Sequence, residues 1–203
     1  MISFDELIYI LDGDSPPMDI VFLLDTSNRV TQSDLAKQKE FVKLMAQRFD
    51  VSPTASHAAV LSYGDRTILI GGLYDYVRGK RFEDNVDSVT LIRGKRNIQE
   101  ALRQATNHLA SFGRENVSHV VFLITYGRQS PELGSQRLQE MVQNVRDTNV
   151  ILYVVGVGID ADDPQLGLIV ERPTDLFEIP RSGDLKLNVP SIVYYSISRA
   201  GKF

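Results

Sequence analysis

Four stretches of the chain are apolar at nearly every position. They are "DIVFLLD" (19–25), "HAAVLSYG" (57–64), "HVVFLITYG" (119–127) and "VILYVVGVG" (150–158). Val, Ile, Leu and Phe run through them without strict alternation, the pattern of strands covered on both faces. Between them the spacing changes to that of amphipathic helices. "SDLAKQKEFVKLMAQRF" (33–49) places Leu35, Phe41, Val42, Met45 and Phe49 at helical intervals and starts at Ser33, a residue type suited to an N-cap. "NIQEALRQATNHLASFG" starts at Asn97 and stops at Gly113, and glycine is a common helix stop. "GSQRLQEMVQNVRDTN" (134–149) repeats the pattern ahead of the last strand. A weaker apolar run, "TILIGGLY" (67–74), reads as an edge strand antiparallel to its neighbour.

Strands alternating with helices predict an α/β fold. The expected form is a doubly wound, mostly parallel sheet of about six strands with one antiparallel edge strand and helices on both faces. Ligands of such sheets bind at the carboxyl ends of the strands. Asp25, Ser27 and the end of "FLITYGRQ" therefore belong to one rim, and that rim is the candidate site.

Composition narrows the choices. With 203 residues and 43% hydrophobic content the chain can bury one sizeable core, and is only marginally long enough for two domains. A net charge of −4, with both signs interspersed, speaks against a general nucleic-acid binder. No apolar run approaches the roughly 18 residues of a membrane span, so membrane insertion is not expected. The absence of cysteine removes disulfides, Cys-based zinc sites and thiol nucleophiles together. The opening "MISFDELIYIL" carries acidic residues where a secretory leader would be basic, and so does not read as a signal peptide.

Enzymatic motifs are missing. No Walker loop or G-x-G-x-x-G follows a strand, and no G-x-S-x-G elbow occurs. Phosphotransferases of the haloacid dehalogenase type place a second aspartate two residues after the strand-end one, where this chain has Ser27. His57, His108 and His119 are scattered, two at strand entries and one on a helix, which suits structural roles. A non-enzyme without a cofactor is the expectation.

Five features, in this order, resemble the von Willebrand factor type A (vWA) domain over roughly Met18 to the C-terminus. "DIVFLLDTS" is similar to the first strand and the start of the Asp-x-Ser-x-Ser metal motif, and "AAVLSYGD" to the second core strand. "RGKRNIQEALRQA" stands in place of a Gly-Gly-x-Thr-x-Thr-Gly-x-Ala-Leu-like loop and helix. "HVVFLITYGRQS" replaces a strand ending in Thr-Asp-Gly-x-Ser, and "NVILYVVGVG" is similar to the strand that follows. The resemblance implies a Rossmann-like fold and, on its rim, a metal-ion-dependent adhesion site. Asp25 and Ser27 match the first two motif positions. Arg29 stands at the third, Arg96 at the loop threonine, Tyr126 at the second aspartate and Gln129 at the serine that often follows it.

Three of five ligand positions are thus lost, two of them to arginine, which keeps its proton under all ordinary conditions. A hard divalent cation needs oxygen ligands. The expectation is that no metal binds and that Arg29 or Arg96 pairs with Asp25 in its place. The basic run "LIRGKRN" (91–97) would approach Arg29 and Arg128, giving a rim that attracts anions such as a carboxylate side chain or a sulfated glycan. The second basic run, "VRGKRF" (77–82), reads as a solvated loop.

What the resemblance implies about function is an adhesion or assembly module of the secreted extracellular matrix, similar to the tandem type A modules of collagen VI, with a degenerate metal site. Its partners would be other matrix or cell-surface proteins, including collagen or anionic glycans, and neighbouring vWA modules. An intracellular vWA scaffold domain in a larger complex is the alternative. Residues 1–17 read as an N-terminal extension, or the tail of a preceding module, plus the Pro-rich linker "DGDSPP", leaving 18–203 as the vWA domain. Asn116-Val117-Ser118 is a glycosylation sequon that matters only for a secreted protein.

Overall fold

The computed structural model describes residues 15–79 and 81–200. In chain order the elements are β1 (Met18–Asp25), α1 (Gln32–Arg48), β2 (His57–Tyr63), β3 (Thr67–Gly71), α2 (Phe82–Ser88), α3 (Ile98–Phe112), β4 (Ser118–Thr125), α4 (Ser135–Asp147), β5 (Ile151–Val157), α5 (Pro164–Ile169), β6 (Leu176–Ile179) and α6 (Val189–Ala200). The six strands form one sheet in the order β3-β2-β1-β4-β5-β6. Every neighbouring pair is parallel except β2 and β3, which are antiparallel. This is the expected doubly wound architecture, its antiparallel edge strand ending at Gly71. The expectations for residues 1–14 lie outside the described residues.

β1 runs down the middle and is buried at every position. Met18, Ile20, Phe22 and Leu24 face one layer, which holds Phe41 and Met45 of α1, Val86 of α2 and Ile192 of α6. Val21 and Leu23 face the other, which holds Leu102 of α3, Val142 of α4 and Leu166 of α5. Covering on both faces is why the strand shows no polar alternation. The register sets Phe22 beside Phe122 and Phe122 beside Tyr153. Their rings stack across three strands at centroid separations of 5.4 and 5.2 Å, an arrangement that adds to plain area burial.

One helix start differs from expectation. Thr31, not Ser33, caps α1: its Oγ1 accepts from Asp34 N at 3.1 Å, while the Asp34 carboxylate accepts from Thr31 N at 3.1 Å. This reciprocal pairing satisfies two amide donors, whereas a cap at Ser33 would satisfy one. α3 begins at the expected Asn97, whose side chain accepts from Glu100 N, and ends at Gly113.

The topology fixes where ligands can gather. The chain leaves β1 toward β2 on one side and returns to β4 on the other, so the β1/β4 boundary is the point where strand order reverses. Asp25 and Thr125 end those two strands. A crevice opens at such a boundary because the outgoing connections diverge.

Candidate functional site

The rim is built outward from Asp25, which is fully buried. Its Oδ1 accepts from Ser27 N at 2.9 Å, closing a short turn after β1. Thr26 anchors that turn to β2 by donating Oγ1–H to the Tyr63 carbonyl at 2.8 Å. From α1, Gln38 Nε2 donates to the Asp25 carbonyl at 2.9 Å.

The 91–97 loop is stitched onto the same turn. Arg93 N donates to the Thr26 carbonyl at 2.8 Å, and Asn28 N to the Gly94 carbonyl at 3.1 Å. Gly94 N in turn donates to Asn28 Oδ1 at 2.9 Å. Gly94 has φ 76°, and a Cβ there would lie 2.4 Å from Asp65 Cβ, so glycine alone fits. The stitching delivers Arg96 over the strand ends. Its Nε donates to Asp25 Oδ2 at 2.6 Å and its Nη1 to the Arg128 carbonyl at 3.1 Å. Ser130 Oγ accepts from Arg96 N at 2.9 Å, and Ser130 N donates to the Arg96 carbonyl at 3.0 Å. At Gly127, with φ 127°, a Cβ would come 3.3 Å from Arg96 Nη1, so this backbone gives the guanidinium room to pass.

The remaining candidates separate into two groups. Tyr126 joins the site through its backbone, whose N donates to Asp25 Oδ2 at 3.0 Å. Burial, with added repulsion from Asp34 and Asp25, pushes its phenol far above the ordinary value, so it stays neutral. Arg29 does not reach Asp25. It is exposed and pairs with Asp160 just beyond β5. Arg128 Nε lies 3.8 Å from Asp163 Oδ2. Gln129 bridges elements: its Oε1 accepts from Gln99 N at the start of α3, and its Nε2 donates to the Gly134 carbonyl. The arginines are therefore largely matched by carboxylates, and the rim is less electropositive than the basic residues in the sequence suggest.

Asp160, Ser130 and Gln38 were missed by sequence reasoning. Asp160 stands just past the strand "VILYVVGVG", so the rule that singled out Asp25 could have found it. Gln38 had a weaker signal, a polar residue inside an apolar helix face.

Chemically, the donor set does not fit a divalent cation. Both Asp25 oxygens already accept from protein N–H groups, one of them on a guanidinium. Among the motif positions only the neutral hydroxyls of Ser27 and Tyr126 remain as free oxygens, while Mg²⁺ or Ca²⁺ requires about six oxygens, several of them anionic or carbonyl. An opening of about 490 Å³ lies over the rim, lined by Ser27, Asn28, Arg29, Lys95, Arg96 and Ser130 with others. A more apolar cavity of about 380 Å³ sits at the opposite end of the sheet beside His57, Tyr76 and Phe82, and contains none of the motif residues.

Comparison with known proteins agrees with this architecture. The human collagen alpha-1(XXI) chain is 24% identical over 161 residues, which cover 79% of this chain and 16% of the relative. The human collagen alpha-6(VI) chain is 26% identical over 196 residues, covering 95% of this chain and 8% of the relative. The chain thus spans a small part of the curated relatives it matches. Proximal thread matrix protein 1 from the mussel byssus, solved with zinc in its metal-ion-dependent adhesion site motif, superposes with a TM-score of 0.77 at 26% identity, over 90% of this chain and 46% of that one. Residues 19–189 match the family model of the von Willebrand factor type A domain, and the chain belongs to that family.

Proposed function

We propose that this domain is a non-enzymatic protein–protein interaction and adhesion module of a secreted extracellular-matrix protein, and that it engages its partners without a divalent cation. The observation that carries this reading is the Arg96 guanidinium on Asp25 at 2.6 Å, in the place where the family motif would put a metal. A covalently held cation neutralises the carboxylate, and a divalent ion beside it would be repelled. The collagen chains and the thread matrix protein among its relatives support the matrix assignment. The partners are other matrix or cell-surface proteins and neighbouring vWA modules. Asn116 is exposed in the turn before β4, a position open to glycosylation in a secreted protein.

The test is a solid-phase binding screen against purified matrix proteins, run in EDTA and again in millimolar Mg²⁺ or Mn²⁺. Binding should be the same in both and should fall in the rim variant Arg29→Asp, which sets a like charge beside Asp160. Binding abolished by EDTA would overturn the metal-independent reading. Binding untouched by Arg29→Asp would move the interface away from the rim.

A further inference from the structure

The apolar cavity of about 380 Å³ lies at the end of the sheet opposite the rim, and its walls include Pro53, Ala58, Leu73, Tyr76 and Phe82. Concave apolar surface of this size marks a place where another group packs. The chain enters the fold beside it. Met18 N, at the start of β1, donates to Ser56 Oγ at 3.2 Å, and Ser56 lines the cavity. The next residue, Asp19, is the register partner of His57, which lines it too. The residues that precede Met18 therefore run out close to the cavity.

The sequence ahead of Met18 matches this cavity in pattern and in charge. Ser3-Phe4-Asp5-Glu6 has the spacing of a capping box, and Phe4, Leu7, Ile8 and Leu11 stand at the i, i+3, i+4 and i+7 positions of one helical stripe. Asp5, Glu6, Asp12 and Asp14 carry the charge, and no basic residue occurs before Arg29. The run "VRGKRF" (77–82), by contrast, is basic, and the exposed Arg81 stands at the cavity wall. We propose that the cavity is the docking site of an amphipathic helix, and that its occupant is residues 3–11 of this chain. The cavity has room for large side chains and not for a helix, so the segment lies across the mouth and inserts its stripe, as in helix-in-groove recognition. Asp75 and Glu83 in the wall repel its acids, which are left facing the basic run outside. The linker permits the return. Residues 12–17, "DGDSPP", span up to about 20 Å, and Asp12-Gly13 suits a turn. A tether of this length sets an effective concentration of about 1 mM, so a weak contact suffices to keep the segment docked.

The experiment is hydrogen exchange of the full chain read by mass spectrometry, in peptides covering 51–58 and 72–86. Phe4→Asp with Leu11→Asp keeps the length of the segment and breaks its stripe. Exchange in those peptides should quicken about tenfold, the ratio of an effective concentration of about 1 mM to an intrinsic Kd of about 0.1 mM. Peptides from β4 and β5 should be unchanged, since the core stays intact. Tyr9→Ser, on the opposite side of the same helical pattern, should change none of them. A synthetic peptide of residues 1–14, added at about 1 mM to the doubly substituted chain, should restore the protection. No change on breaking the stripe, an equal change with Tyr9→Ser, or no rescue by the peptide would each overturn the docking. Faster exchange in β4 and β5 as well would show a loss of global stability, and would overturn a local site. Protection that grows with protein concentration would assign the segment to a second copy, and would overturn docking within one chain.

Discussion

Replacing Arg96 tests the rim most directly, because that side chain is charged, buried and bonded to a buried carboxylate. Arg96→Ala removes the 2.6 Å bond to Asp25 Oδ2 and the bond to the Arg128 carbonyl. It leaves the Asp25 carboxylate fully buried with only the amides of Ser27 and Tyr126 for support. Removing one partner of a buried pair costs about 3–5 kcal/mol, since the other charge stays out of water uncompensated. For a domain of this size, where about 1 kcal/mol moves the midpoint by 2–4 °C, the melting temperature should fall by roughly 6–20 °C. The sharper check is a cycle with Asp25→Asn, read by urea denaturation. In the native background Asp25→Asn should destabilise, because it strips the guanidinium of its anion. On the Arg96→Ala background the same change should stabilise, because it removes the stranded charge. A change of sign of this kind comes only from direct coupling between the two residues. If Asp25→Asn costs the same in both backgrounds, or Arg96→Ala costs less than about 1 kcal/mol, as exposed ion pairs do, the pair is not what holds the rim.

Millimolar Mg²⁺, Ca²⁺ or Mn²⁺ should leave the melting temperature unchanged by scanning fluorimetry, because a ligand stabilises only a state that binds it; Arg29→Ser, Arg96→Thr and Tyr126→Asp together should create a cation-dependent rise that none of the three produces alone. Burial, aided at His57 by the nearby Arg114, holds the imidazoles of His57 and His108 below their ordinary value of 6.5. The unfolded chain therefore takes up these protons first, so stability should be full above about pH 6.5 and decline as the pH falls through the lower folded values; His57→Gln with His108→Gln should flatten that decline in denaturation curves. Thr31→Ala should cost about 1 kcal/mol through loss of the α1 capping box, while Ser33→Ala should be close to neutral, as chemical denaturation of the two variants would show.

Most of the sheet could be read directly because burial on both faces leaves long uninterrupted apolar runs, and β1, β2, β4 and β5 are such runs. β6 and α6 could not be read in the same way. β6 has only four residues, and just one of them, Ile179, is buried, so no pattern has room to develop. α6 is "VPSIVYYSISRA", rich in β-branched and aromatic residues that favour strands when taken locally. Its helical character lies in the spacing of buried Ile192, Val193, Ser196, Ile197 and Ala200, and Pro190 sits in the first turn, where a missing amide proton costs nothing. At the site, Arg96 on Asp25 was one of two pairings that motif positions allowed. Charge alone could not choose between them. The choice is made by the backbone stitches between 26–28 and 93–94, which carry Arg96 inward, and by Asp160, 131 residues from Arg29 in the chain, which draws that arginine outward.

A tethered guanidinium also changes what the rim can attract. A divalent ion over a single carboxylate would leave a net charge of about +1 to draw in an acidic group from a distance. Arg96 on Asp25 sums to zero, and Arg29 on Asp160 does the same. Long-range attraction at this rim therefore falls mainly to Lys95, and a partner docking here would rely on short-range hydrogen bonds whose strength rests on direction and on exclusion of water. On the proposed metal-independent reading, a partner engaged through this rim should associate slowly and depend only moderately on salt. Its binding should also be indifferent to the free cation concentration, because the cation of the rim is part of the chain and cannot be chelated away.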